Sequence, residues 1–520
     1  MFSRTQSRTS RGVAVGAAVV SLSLTVSACS VANSDSAGTT AGGDVVRIVL
    51  PQEPPTLEPC DANLTSTGVV VRSNITEPLV ERDPTSGELE PLLATEWEQT
   101  EPDTWTFTLR EGVTFSDGTP FDAEAAAHSI DRAVNGTFGC NVEGYVFGDT
   151  ELEVDAVDAT HLTVTTPEPD PILPLRLSFI EIVPASASGT EKVREPVGTG
   201  PYKIEEWQAG TKLTLAANES YWGDAPAFPT AEYQWREEGT VRAAMITNGE
   251  ADVATGLAPE DGLGDAGVDY PNNETTAVRA TGTYAPLDDI RVRHAINYAI
   301  DRGSIVDSLF DGYAEVASQL VPDGVVGHNP DLEPWPYDPE KARSLIAEAE
   351  ADGVPTDTEI RLISRTGLFP KVEETVEVVQ KALEDVGLNV SIEMLDTAGS
   401  VQYQSRPYPE DTGPYLMLVQ HGNQAGDAAF SVDQYMLSDG AQSTFGTDEF
   451  DAQIEAAGKE QDEGRQQAYA DVFADEPDTI GQFAYIAHMT GILGLSEQVS
   501  YEPNSATGDE MRLAEMTPAG

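Results

Sequence analysis

Apolar and polar positions repeat with two periods along this chain, and the switch between the periods marks its elements. "VVRIVLPQEPPTLEP" predicts a first strand running into a Pro-rich turn. In "TWTFTLREGVTFSDGTPF", Trp105, Phe107 and Leu109 share one face and Thr104, Thr106 and Thr108 the other. Turn pairs at Glu111-Gly112 and Asp117-Gly118 extend that strand into a meander. Asp122 is placed to cap the helix "AEAAAHSIDRAV", and "LEVDAVDATHLTVTT" reads as a hairpin. "VGTGPYKIEEWQAGTKLTLAANESYWG" opens on a Gly-rich turn, continues as strands and ends on an aromatic pair. "DDIRVRHAINYAIDR" has helical period: Val292, Ala295, Ile296, Ala299 and Ile300 fall on one face behind Asp289 as N-cap. "YDPEKARSLIAEAEADG" carries Asp338 as cap, Pro339 at the first helical position and Gly353 as stop. "FPKVEETVEVVQKALEDVGLNVSIEML" is a helix stopped by Gly387, then a strand with Val390, Ile392 and Met394 on one face, which is an α/β unit. The apolar stretch "FAYIAHMTGILGL" predicts a pair of buried strands. No internal repeat is present.

The N-terminus follows another pattern. Arg4, Arg8 and Arg11 precede an apolar run from Val13 to Val26 that is short for a membrane span, the layout of a secretory signal. The run ends at Val26-Ser27-Ala28-Cys29, which resembles the bacterial lipobox. That resemblance implies a signal peptide over residues 1–28 and an acylated Cys29 as the new N-terminus. Two or more acyl chains hold a protein stably on a membrane. Residues 29–43, rich in Ser, Gly, Thr and Ala, read as a flexible tether. The chain is therefore expected at the cell membrane, lipid-anchored and facing the extracellular or periplasmic side.

Composition narrows the functions. With 520 residues, 40% of them apolar, the chain can bury a substantial core in about three domain-sized units. A net charge of −59 repels nucleic acid and anionic lipid, so no nucleic-acid partner is expected. If Cys29 is acylated, Cys60 and Cys140 remain, and an even remainder in an oxidising compartment favours a disulfide. Two buried free thiols are the alternative.

Five stretches in order carry a family resemblance: "ITEPLVERDPTSGELEPLLATEWEQTEPDTWTFTLREGVTFSDGTPFDAEAAAHSIDR", "VGTGPYKIEEW", "PLDDIRVRHAINYAIDR", "YDPEKARSLIAEA" and "VVQKALEDVGLNVSIEML". Together they resemble the extracellular solute-binding proteins of peptide- and nickel-type ABC importers. The resemblance implies an α/β, two-lobed periplasmic-binding-protein-like fold (type II, class C) with an extra β-rich subdomain in the first lobe. Lobe 1 would span 45–282 with the subdomain near 80–190, lobe 2 would span 283–480, and 481–520 would return to lobe 1. Crossovers are expected near "AVRATGTYAPL" and "FAYIAHMTGIL". Such a protein works as a monomer without a cofactor, closes like a hinge on a small solute and delivers it to ABC permease subunits.

The resemblance also nominates residues. Peptide-binding members hold the ligand ammonium with an Asp in a loop shaped Trp-x-x-Asp. The matching stretch "QHGNQAGDAAFSVDQY" puts His421 at the Trp and Gln424 at that Asp, so the charge is missing. His421, Asn423, Gln424 and Asp427 are the candidates there, with Asp427 able to replace the lost carboxylate if the loop shifts. Arg365, in "LISRTGLFPKVEE", matches an arginine that grips a ligand carboxylate, for which a guanidinium fork is suited. Thr65, Ser66 and Thr67 match a segment facing the ligand, and Thr281 and Tyr284 fall near the expected cleft floor.

Catalytic signatures are missing. "GLGDAG" at 262–267 follows no clear strand and opens no helix, so it is not a dinucleotide loop. No G-x-S-x-G or P-loop occurs, and the six histidines lack metal-ligand spacing. The expectation is a binding protein for short peptides or peptide-like solutes. A metal chelate, an opine-like compound or an oligosaccharide is the alternative solute, and a secreted hydrolase the alternative class.

Overall fold

The computed structural model describes residues 43–142, 146–148, 150–504 and 510–520. The signal peptide, Cys29 and the tether up to residue 42 lie outside the described residues.

Among the described residues, eleven strands form one sheet. Its row runs Asn389–Leu395, Glu359–Arg365, Tyr415–Gly422, Gly267–Ala280, Phe483–Leu495, Val253–Ala254, Val45–Leu50, Thr230–Trp235, Lys212–Ala217 and Tyr202–Gln208, with Ala314–Val316 paired beside Phe483–Leu495. Two long strands, Gly267–Ala280 and Phe483–Leu495, join its two halves and pair antiparallel with each other. The first long strand meets Tyr415–Gly422 only from Glu274 onward. The second meets Val253–Ala254 only at Gly494 and Leu495. Between these zones the register shifts at Pro271/Thr275, where Asn273 takes a φ of 56°. A bulge bends a ladder and increases its twist, so the halves change direction there.

One expectation is corrected by these strands. "FAYIAHMTGILGL" is one unbroken strand rather than a pair. Neither Gly491 nor Gly494 adopts the positive φ of a turn, and a Cβ at Gly491 would lie 2.6 Å from the Tyr270 ring, so glycine there admits close packing.

Alternation sets the layers. In the second half, Val278, Leu362, Leu416 and Leu418 face a core closed by the helices Ile290–Ala299, Pro339–Ala351 and Val372–Asp385. Ala277, Ile363, Met417 and Val419 face the opposite core, with Tyr435, Tyr469 and Phe473 of the helices Ala429–Tyr435 and Asp462–Thr479. In the first half, Val46, Ile48 and Leu50 face one core, and Val49 packs on Ala243 and Ile246 behind the other face. Burial on both faces explains the near-continuous apolar runs of these strands. The helix Ile290–Ala299 is tied to the second long strand by polar groups. Asn297 Nδ2 donates to the Phe483 carbonyl at 3.0 Å, and Arg293 Nε donates at 3.1 Å to the carbonyl of Ile480, which ends the helix Asp462–Thr479 just before that strand. Arg302 adds a bond to the Tyr485 carbonyl.

A separate four-stranded antiparallel sheet, in the order Ala94–Glu101, Thr104–Leu109, His161–Thr165, Glu153–Asp158, packs Phe107, Leu162 and Val164 on the helix Ala123–Ile130. The expected meander stops early: beyond Gly112 the chain makes only the bridge Thr114–Pro120. Cys60 and Cys140 form a disulfide with Cα atoms 5.3 Å apart.

Candidate functional site

A cavity of about 350 Å³ lies between the two halves of the large sheet. Its floor comes from the long strands, with Tyr270, Asn272 and Glu274 on one and Met489 to Leu493 on the other. The first half supplies Gln52, just past the strand Val45–Leu50, and Thr65 and Ser66 in the first turn of the helix Thr65–Val71. The second half supplies Phe369 and Lys371, past the strand Glu359–Arg365, and Gln420 and Gln424 at the end of Tyr415–Gly422. These walls lie at the carboxyl ends of strands, where open α/β sheets form their crevices. Most of the polar lining is uncharged. Gln52, Gln420 and Gln424 each bring both donors and acceptors, and Thr65 and Ser66 bring hydroxyls, whereas Asn272 donates to Glu274 Oε2 at 2.9 Å and accepts from Glu274 N at 3.1 Å.

Two contacts cross between the halves at this cavity. Lys371 Nζ lies 3.0 Å from Glu260 Oε1, and the hydrogen bond and charge of Glu260 hold the lysine ammonium above its ordinary pKa. Arg82, from the short strand Val80–Arg82, donates to the backbone carbonyl of Gln424. Gly426 has a φ of 71°, which favours glycine, and the Arg82 guanidinium fills the space where a Cβ would stand. Also in the lining, Glu510 accepts from Arg512 Nε and Asn504 Nδ2, both at 3.1 Å. Burial pushes its carboxyl up, but Arg512, Arg72 and the Ser73 hydroxyl outweigh burial and leave it below the ordinary value.

Of the residues nominated from sequence, Thr65, Ser66 and Gln424 meet in this cavity. Five others have polar groups already engaged inside the protein. Thr67 is buried and donates to the Thr56 carbonyl at 3.0 Å. Thr281 donates to the Tyr415 carbonyl at 2.9 Å and accepts from Tyr415 N at 3.0 Å, which locks two strand ends together. His421 Nε2 lies 2.6 Å from Ser431 Oγ, and its ring sits edge-on to Tyr435. Asn423 donates to the carbonyls of Asn273 and Leu320 and accepts from Ser431 Oγ at 2.7 Å. Asp427 receives Arg465 Nε and Nη2 on its two carboxylate oxygens, at 2.7 and 2.8 Å. Arg365 ends its strand half-buried, Tyr284 is half-buried in the following connection, and neither lines this cavity.

Sequence reasoning missed Gln52, Asn272, Gln420 and the Lys371–Glu260 pair. Alternation along "YLMLVQHG" places Gln420 and His421 on opposite faces, a signal that was present. Nothing local connects residues 260 and 371.

The buried His421 has a consequence for acid stability. Burial pushes its imidazole down to about 3 from the ordinary 6.5. The folded chain therefore binds fewer protons than the unfolded chain between those values, and stability falls as pH drops through that window. The His421→Gln protein should lose less stability than the parent between pH 6.5 and 5, by up to about 1.4 kcal/mol per pH unit. Urea unfolding of both proteins across that range checks this. Parallel pH profiles would show that His421 does not titrate on unfolding.

Among the described residues, no helix is long and apolar enough to cross a membrane, and no three His, Cys, Asp or Glu side chains are grouped to hold a metal ion.

The sequence profile of the bacterial extracellular solute-binding proteins, family 5 (middle region), matches residues 88–443. A curated relative, the nickel-binding periplasmic protein of Escherichia coli, is 28% identical over 362 residues, covering 63% of this chain and 67% of that protein. The solved substrate-binding protein CtaP of Listeria monocytogenes superposes with a TM-score of 0.79 at 20% identity, over 92% of this chain and all of that one. DppA of Helicobacter pylori, solved with the peptide STSA, gives 0.78 at 19% identity, over 92% of this chain and 99% of that one. Both solved neighbours share the two-lobed fold. With the profile spanning well over half its length, this chain belongs to the bacterial extracellular solute-binding proteins, family 5.

Proposed function

We propose that this protein captures short peptides or peptide-like solutes between its two lobes and delivers them, chemically unchanged, to the permease subunits of an ABC importer. In this reading an acylated Cys29 holds it at the outer face of the membrane. The observation that carries the reading is the makeup of the cavity between the halves. A peptide backbone presents N–H donors and C=O acceptors in alternation, and Gln52, Gln420 and Gln424 bring amides able to meet both. Tyr270, Tyr313 and Phe369 offer apolar surface for side chains. The Lys371–Glu260 pair closes the cavity on one side by linking the two lobes. Because walls from both lobes contact the guest, it binds the closed form better than the open one, and that difference drives closure.

Mass spectrometry of what the purified protein releases on denaturation tests the reading. Short peptides are the expected result. A metal chelate, an opine-like compound or an oligosaccharide in their place overturns it. With the released peptide as titrant, Gln424→Ala should weaken binding about tenfold, the loss of roughly 1.4 kcal/mol of hydrogen bonding. Unchanged affinity in calorimetry would remove Gln424 from the site.

A further inference from the structure

A second cavity of about 1050 Å³ lies between the four-stranded-sheet region and the helices that follow Asp427. It shares no lining residue with the first cavity. Its two guanidiniums are engaged: Arg465 grips Asp427, and Arg176 donates to Asp170 at 2.9 Å while lying over the Phe430 ring. Its other acids are not. Among the described residues, the side chains of Glu151, Glu153, Glu168 and Asp433 have no ion pair or hydrogen bond. All four line this cavity.

A second, independent feature lies in the same wall. The Tyr469 hydroxyl is fully buried and has no hydrogen-bond partner among the described residues. A buried hydroxyl without a partner is costly, and a donor entering the cavity would relieve that cost. Burial, then the neighbouring Asp433 carboxylate, keep that phenol protonated, so its lone pairs remain free to accept. Asp433 is in a matching position: burial pushes its carboxyl up to about 6, only partly offset by Arg176 and Arg465. A carboxylate raised in this way gains from a cation placed against it.

We propose that this second cavity binds an organic cation carrying more than one primary ammonium group, with Asp433 and the Tyr469 hydroxyl holding one ammonium and the rim carboxylates of Glu151, Glu153 and Glu168 the next. A linear polyamine and the lysine side chains of a peptide share this chemistry. The inference goes beyond the peptide reading of the first cavity and holds whichever solute that cavity takes.

Calorimetry on the full mature protein, at physiological salt, tests it with three probes: spermidine, trilysine and the uncharged 1,4-butanediol. At least one polycation binds, and the diol gives no heat. Asp433→Asn weakens the binding about tenfold or more, and Tyr469→Phe weakens it several-fold. The chain carries 88 acids, so diffuse attraction to its surface would not register the loss of one. Spermidine binding with trilysine silent assigns the site to a free polyamine, and the reverse assigns it to a basic peptide. Silence from both polycations, or equal affinity in Asp433→Asn, overturns the proposal. Should thermal melting show that Asp433→Asn does not fold, Tyr469→Phe decides, and unchanged affinity there overturns it as well.

Discussion

Arg465→Met should destabilise the protein by about 3–5 kcal/mol, the range for removing one partner of a buried ion pair. Arg465 and Asp427 are both almost wholly buried, with side chains 5% and 3% exposed. Burial opposes the arginine's charge, and the Asp427 hydrogen bonds and charge more than offset it, leaving the guanidinium above its ordinary pKa. Without the guanidinium, Asp427 keeps only the Ala429 amide, at 2.9 Å, against a full desolvated charge. The Gly458 carbonyl also loses its donor from Arg465 Nη1, at 2.9 Å. The measurement is the urea midpoint at unchanged slope. The double variant Asp427→Asn, Arg465→Met should recover part of the loss, since it leaves no unpaired charge. A loss below about 1 kcal/mol in the single variant would mean that water reaches the pair and that it behaves as a surface one. The effect should extend to ligand binding, because the same loop carries Gln424.

Removing the Cys60–Cys140 disulfide should cost about as much. The cysteines are 80 residues apart in sequence, and loop closure on that scale gives about 4.5 kcal/mol. Cys60 sits in the turn Pro59–Asp61 ahead of the helix that presents Thr65 and Ser66, so the link also steadies one wall of the first cavity. Neighbouring hydrogen bonds hold the same junction: Asn141 N donates to Asp61 Oδ1 at 3.0 Å, and Asn63 Nδ2 to Asn141 Oδ1 at 2.6 Å. These bonds belong to the folded state only and leave the loop-closure term intact. The Cys60→Ser, Cys140→Ser protein should unfold at a markedly lower temperature than the parent. Equal melting temperatures would show that the unfolded chain is already as restricted as the crosslink makes it.

The helix ends and strand faces were readable in the sequence because their causes are local. Asp122, Asp289 and Asp338 each accept from a backbone amide two or three residues on, at about 3 Å, and such a cap depends on nothing outside the turn. The buried face of Ile290–Ala299 follows from helical period alone. The single strand Phe483–Leu495 was not readable: its glycines resemble turn glycines until Tyr270 of another strand is seen against Gly491. The loop after Tyr415–Gly422 shows the same limit within a few residues. His421, Asn423, Gln424 and Asp427 form one polar run, and such a run suits a ligand or a buried network equally well.

By itself the sequence determined the class of the protein: the α/β periodicity, the capped helices and the acidic charge. Only the tertiary structure decided which of the polar residues are already bonded inside the protein. Asp427 meets a guanidinium 38 residues downstream, and His421 and Asn423 meet on Ser431, whereas Gln424 faces open space. The physical reason is that a polar side chain binds a ligand only if the fold has not already satisfied it, and the partners that satisfy it come from segments distant in the chain.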